Sequence, residues 1–239
     1  MLKVRIYGDS LGLPRIGYVI NSERYVSLIE NYFRKKDVEL ELLDRTRINS
    51  TVTYLYKWYL EDKAYFGEKG DILIIHCGIC DCAPRPIPPA VRNYISRLKG
   101  RLQKILIKLI KNNRALLQKN NFIWRVTEPT VFEETYQTWF KDAVNHFKHI
   151  FIINIAPTNE TTEKHSPGLT KSINQYNEMI NALKSLSQAE SKVHFVDIHD
   201  VIKKNYEVID EYILKEDGHH ITPKTHAIIY QSIIEKLQN

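Results

Sequence analysis

Five short apolar runs, spread over almost the whole chain, constrain the fold more than any other feature. They cover residues 2–7, 38–43, 71–77, 149–155 and 193–198. Each is short and rich in Val, Ile, Leu or Phe, and residues 38–43 alternate apolar with polar, so all five read as strands. The third run is almost continuously apolar, which places it at the centre of a sheet with both faces covered. Between the runs lie segments of helical character, at about 21–36, 51–62, 168–188 and 222–238. Strands alternating with helices imply an α/β fold, in which a doubly wound sheet of about five parallel strands carries helices on both faces, giving three layers.

Runs three and four are separated by about seventy residues, far more than an ordinary crossover needs. Pro84, Pro86, Pro88 and Pro89 open this segment in extended form. Residues 101–110 then place Leu102, Ile105, Leu106, Leu109 and Ile110 on one helical face, with Lys104, Lys108 and Lys111 on the other. The expectation is one domain over residues 1–239, with a helical insertion at about 85–148 packed on the sheet. A basic amphipathic helix of this kind also suits a membrane surface or a polyanion.

The chain has 239 residues, 43% of them hydrophobic and 26% charged. That is enough apolar material for a substantial core in a protein with an ordinary charged surface. No apolar run approaches the roughly 18 residues of a membrane span, and the first residues lack a leader's apolar stretch. A cytoplasmic protein is expected. The net charge of +6 favours anionic partners, among them nucleic acid, acidic glycans and phosphorylated sugars. Nucleic acid is the weakest of these, because the basic stretch at 92–119 carries no recognisable nucleic-acid motif and no interleaved aromatics.

In a parallel sheet the active rim lies at the carboxyl ends of the strands. Gly8-Asp9-Ser10 follows the first run, and Asp44 to Thr51 follow the second. Gly78-Ile79-Cys80-Asp81 follows the third. Asp217-Gly218-His219-His220 precedes the final helix. A Ser, a His and an Asp on one rim can perform nucleophilic acyl transfer. The His accepts the Ser proton, and the Asp fixes the His tautomer and supports the imidazolium. The plainer alternative is a turn serine and a helix-capping aspartate.

Gly8-Asp9-Ser10-Leu11 and Asp217-x-x-His220, at opposite ends of the chain, resemble the first and last blocks of the SGNH/GDSL hydrolases. The apolar-Thr pair and closing helix after His220 strengthen the likeness, as does Tyr176-Asn177. The resemblance implies a flavodoxin-like sheet, with Ser10 as nucleophile, His220 as general base and Asp217 as its orienting partner. His219 is the adjacent competitor for the base. The family's Gly-x-Asn-Asp block reads Gly78-Ile79-Cys80-Asp81 here, so a weak thiol donor stands where an oxyanion-binding Asn belongs. No Gly occurs between Val38 and Tyr65 to supply the family's second-block N–H. Asn49, or Ser50, takes that place, and Asn tolerates the left-handed backbone the position requires. The expected oxyanion set is therefore Ser10, Asn49 and Cys80. The run Gly78 to Arg85 is similar to a subgroup encoded among bacterial surface-polysaccharide genes.

Arg15 and Arg85, each beside a rim block, are expected to bind substrate together with Asp81, and one or both arginines to recognise an acidic group. Ion pairs with structural carboxylates are the other use of such arginines. No metal or cofactor is expected. Cys77-x-x-Cys80-x-Cys82 beside His76 offers ligand types without the second ligand pair a structural zinc wants. Small buried residues explain the cysteines, with a reactive Cys80 as the alternative. The function implied is a serine ester hydrolase or O-acyltransferase removing or moving an acyl group, acetyl above all, on a sugar or polysaccharide precursor. The substrate is then an acylated, anionic sugar or glycan. A catalytically impaired glycan-binding or assembly partner is the alternative.

Overall fold

The most apolar run becomes the central strand, because it has to be covered on both faces. The computed structural model describes residues 1–119, 124–186 and 191–238. In chain order it contains β1 (Leu2–Gly8), α1 (Tyr25–Lys35), β2 (Leu40–Thr46), α2 (Val52–Phe66), β3 (Gly70–His76), α3 (Ile79–Cys82), α4 (Pro89–Arg97), α5 (Arg101–Asn112) and α6 (Arg114–Lys119). There follow α7 (Pro129–His146), β4 (Phe147–Ile153), α8 (Glu160–His165), α9 (Leu169–Leu186), β5 (Val193–Val196), α10 (Ile198–Lys203) and α11 (Pro223–Gln238). The strands pair in the order β2-β1-β3-β4-β5, all parallel. This is the five-stranded, doubly wound arrangement the sequence implies. The last two residues of the expected helix 168–188 lie outside the described residues.

Side-chain alternation on the strands divides the core in two. Val4, Ile6, Ile72, Ile74, Phe151 and Ile153 face α1, α10 and α11. Tyr7, Leu73, Ile75, Ile150 and Ile152 face α2, α7 and α9. The second layer is aromatic: Trp139 packs edge-on against Tyr7, with ring centroids 5.5 Å apart. Arg5 shares that face although only 2% exposed. Its guanidinium donates to the Phe66 and Gly67 carbonyls, so the charge satisfies the C-terminus of α2.

The long connection between β3 and β4 carries the expected helical insertion. Its last third is α7, which buries Phe132, Tyr136, Trp139, Phe140 and Ala143 and packs against α2, α9 and β4. This helix is the ordinary crossover, and its buried positions recur at helical spacing in a segment whose intervening residues are polar. The added material is α4, α5 and α6, together with residues 120–123 outside the described part. The expectation that the amphipathic helix packs on the sheet is corrected. No residue of α5 is buried, and Leu102, Ile105 and Leu109 stand 56%, 55% and 54% exposed. Its main neighbours are α4 and α6, which leave the apolar face largely exposed. Among the described residues no helix is long and apolar enough to cross a membrane.

Candidate active site

β1 ends at Gly8 and the chain turns at once into a short 3-10 turn, Ser10–Gly12. Asp9 fixes that turn. Its buried carboxylate accepts from Leu11 N–H at 3.0 Å, and from Gly78 and Ile79 N–H at 3.0 and 3.2 Å. One side chain thus ties the ends of two neighbouring strands together beneath Ser10. Burial pushes the Asp9 carboxyl up to about 7, although the backbone donors favour its charged form.

On the other side of the rim, the loop before α11 carries Asp217 and His220. Gly218 has φ +66°, and a Cβ there would overlap Thr162 Oγ1 and Asn159 Oδ1. Only glycine fits. Its carbonyl accepts from Asn159 N–H at 3.0 Å and Thr158 Oγ1 at 2.7 Å. Thr162 Oγ1 donates to the Asp217 carbonyl at 2.8 Å. The loop is therefore fixed to the segment that leads from β4 into α8.

The result is a continuous chain of hydrogen bonds. Asp217 Oδ2 lies 2.8 Å from His220 Nδ1, and His220 Nε2 lies 3.1 Å from Ser10 Oγ. Asp217 Oδ1 also accepts from the His219 and His220 backbone N–H groups at 3.2 and 3.0 Å. Burial opposes ionisation of Asp217. The side-chain and backbone donors of His220 outweigh it and hold the carboxyl well below the usual range. Burial pushes the His220 imidazole pKa down, Asp217 pulls it back, and His219 and Arg15 add to the lowering. A neutral imidazole with its Nδ1 proton on Asp217 presents Nε2 as the acceptor toward Ser10, a position it shares with the Arg15 guanidinium. His219 turns its Nδ1 toward the Asp217 carbonyl, at 2.8 Å, and does not approach Ser10.

These residues open on a cleft of about 530 Å³, within the roughly 300–1,000 Å³ of small-molecule sites. Asn49 and Cys80 line it with Ser10. Asn49 adopts φ +57°, the left-handed backbone expected of the residue in the glycine position. Ser50 is buried, with no partner for its hydroxyl. Cys80 lines the cleft with Ser10. Burial and the nearby Asp9 and Asp81 push its thiol up to about 12, which leaves a neutral SH rather than a nucleophilic thiolate.

Arg15, Arg85 and Arg114 form part of the cleft wall. Arg15 Nη2 reaches the His220 ring, 2.7 Å from Nδ1 and in contact with Nε2. Asp81 is elsewhere. It is fully buried, accepting from Val52 N–H at the start of α2 at 3.1 Å and from Thr127 Oγ1 at 2.5 Å. Its expected contact with substrate is corrected to a fold-holding role, because the helix start and the threonine consume its oxygens. Tyr176 and Asn177 are structural as well. Tyr176 donates to the Thr127 carbonyl, and Asn177 brackets Ile155 at 2.9 and 2.8 Å.

The three cysteines are buried and free. Among the described residues they form no group able to hold a metal. The one such cluster is Asp217, His219 and His220, of which Asp217 and His220 form the Ser10 relay. The sequence reading missed Asp9, Arg114 and the Thr158–Thr162 support of the Gly218 loop. Asp9 was visible inside the Gly-Asp-Ser block. Arg114 and the threonines carry no local signal, since they meet the site only through tertiary packing.

The sequence matches no family model, and no curated protein matches it. Solved structures do resemble it. A lipase/acylhydrolase from Enterococcus faecalis shares 13% identity at a TM-score of 0.66, over 100% of this chain and 96% of that one. A member of the lipolytic protein G-D-S-L family from Veillonella parvula DSM 2008 shares 12% at 0.60, over 98% and 97%. Axe2, an acetylxylan esterase from Geobacillus stearothermophilus, shares 14% at 0.61, over 100% and 94%. Sheet order, strand-end loops and coverage together give this chain the fold of the GDSL/SGNH-type esterases.

Proposed function

We propose that the protein is a serine ester hydrolase or O-acyltransferase that acts on an acyl group, acetyl in the first instance, of a sugar or polysaccharide precursor. The observation that carries the reading is the relay Asp217–His220–Ser10, with contacts of 2.8 and 3.1 Å. Ser10 Oγ attacks the ester carbonyl while His220 Nε2 takes its proton. The negative oxygen of the tetrahedral intermediate is met by the Ser10 backbone N–H, with Asn49 and Cys80 beside it. His220 then returns the proton to the departing sugar oxygen, leaving an acyl-Ser10. Water, or a sugar hydroxyl in the transfer case, enters with His220 again as base. The sugar assignment draws support from Axe2, named as an acetylxylan esterase, and from the side chains of Asn49, Thr161, Thr162 and Ser166 on the cleft wall.

The test is labelling with a serine-reactive fluorophosphonate, read by intact mass, on wild type beside Ser10→Ala and His220→Ala. An adduct on wild type that both variants lose is the expected result. An unlabelled but folded wild type overturns the esterase reading. It shifts the assignment to a glycan-binding protein whose oxyanion site is impaired, the reading that Cys80 in place of Asn favours.

A further inference from the structure

The cleft wall carries cations that nothing in the described protein neutralises. Arg85 and Arg114 are half-buried and line the same space as Ser10 and Arg15. Among the described residues, the Nε atoms of all three arginines are buried without a hydrogen-bond partner. Among the described residues none of the three is ion-paired with a carboxylate. Elsewhere in this molecule buried arginines are paired or capped: Arg24 lies 2.8 Å from Asp44, Arg45 lies 2.6 Å from Asp62, and Arg5 donates to carbonyls. Two acids, Asp217 and Glu216, also line the cleft, and neither is ion-paired with these arginines. Asp217 is bound to His220, and Glu216 is exposed to solvent.

Arg114 is also held in place. Its Nη2 donates to the Pro84 carbonyl at 3.2 Å and to Ser166 Oγ at 2.9 Å, which fixes the guanidinium plane. Arg85 and Arg114 are near enough for Arg85 to disfavour the charge on Arg114, in addition to the cost of burial. Like charges partly removed from water cost free energy unless an anion completes them. A carboxylate can accept one guanidinium fork, whereas a phosphate offers three terminal oxygens and can accept from several arginines at once.

We propose, resting on the esterase reading above, that the substrate is an acyl ester carrying a phosphate or diphosphate group. That group is held by Arg85 and Arg114, with Arg15 between it and the reacting carbonyl. The substrate class is thus a phosphorylated or nucleotide-linked acyl sugar rather than a neutral glycan.

The test is calorimetric titration of Ser10→Ala protein with inorganic phosphate and with diphosphate at low ionic strength, using acetate as the monoanion control. Both phosphates are expected to saturate a single site, at least tenfold more tightly than acetate. Arg85→Gln and Arg114→Gln, made in the same background, are each expected to weaken binding at least tenfold. Arg114→Lys, which keeps the charge and loses the fork, recovers part of the loss. Absence of saturable phosphate binding, equal affinity for acetate, or undiminished binding in both Gln variants overturns the proposal. If Arg85→Gln does not fold, Arg114→Gln on the peripheral α6 decides alone. Fluorophosphonate labelling of the wild type separates the two claims. Labelling without phosphate binding defeats only the anion assignment, and phosphate binding without labelling defeats only the esterase.

Discussion

Replacing Cys80 with Asn tests how the oxyanion site is built. Cys80 lines the cleft beside Ser10, at the position of the chain where the resemblance expects an oxyanion-binding Asn. A neutral thiol held up to about 12 is a weak donor. An amide N–H there supplies the charge stabilisation whose removal from a serine hydrolase typically costs about 10²–10³ in rate. The thiol already provides a fraction of that, so Cys80→Asn is expected to raise kcat on p-nitrophenyl acetate by about tenfold or more. The amide is larger and brings extra polar atoms to a residue only 8% exposed. A loss of about 1–3 kcal/mol in stability is expected where one of them stays unpaired. Cys80→Ala, which removes the donor and the bulk, is expected to lower kcat. Steady-state kinetics beside urea unfolding reads both effects. An unchanged kcat in folded Cys80→Asn, together with an unchanged kcat in Cys80→Ala, refutes the placement of Cys80 at the oxyanion and leaves that role to Ser10 and Asn49 backbone groups.

The other expectations follow from the same site. Asp217→Asn keeps the shape of the loop but removes the acceptor that sets the His220 tautomer, and is expected to reduce kcat by roughly 10³–10⁴. In the wild type, the His220 pKa is lowered, so the acid limb of the kcat/KM profile should lie below the ordinary histidine value of about 6.5. Activity falls as pH drops through that limb, and a limb above 6.5 contradicts a buried neutral base. Asp9, raised to about 7 from 3.8 in the folded chain, binds its proton more tightly folded than unfolded. Its contribution to stability is therefore full below about pH 4 and is lost as pH rises toward 7. Asp9→Asn removes that dependence, so the plot of unfolding free energy against pH should become more positive in slope between pH 4 and 7; an unchanged slope counts against it. Gly218→Ala forces a Cβ onto Thr162 and Asn159 at a positive φ. It is expected to cut kcat more than tenfold by displacing Asp217 and His220, and a variant with wild-type kcat and melting temperature shows the loop to be slack.

The strand–helix alternation and the two blocks at the chain ends were legible in the sequence because both are local. A strand's apolar run is continuous, and the spacing from Asp217 to His220 fits within one turn, where the two side chains can meet. Periodicity also held the information for α7, at Phe132, Tyr136, Trp139, Phe140 and Ala143, although the polar residues between them conceal it. What no local pattern could give was the use made of single side chains. Asp81 and Asp9 both sit beside rim glycines in the sequence. Packing turned the first into an anchor for α2 and the second into a tie between β1 and the loop after β3. The sequence determined which groups were available: a Ser, a His, two useful Asp residues and a surplus of positive charge. Only the tertiary structure decided which groups face the cleft, because that depends on strand order and on contacts between residues as far apart as Ser10 and His220. It also decided that Arg85 and Arg114, distant in the chain, share a wall on which, among the described residues, neither is ion-paired with a carboxylate.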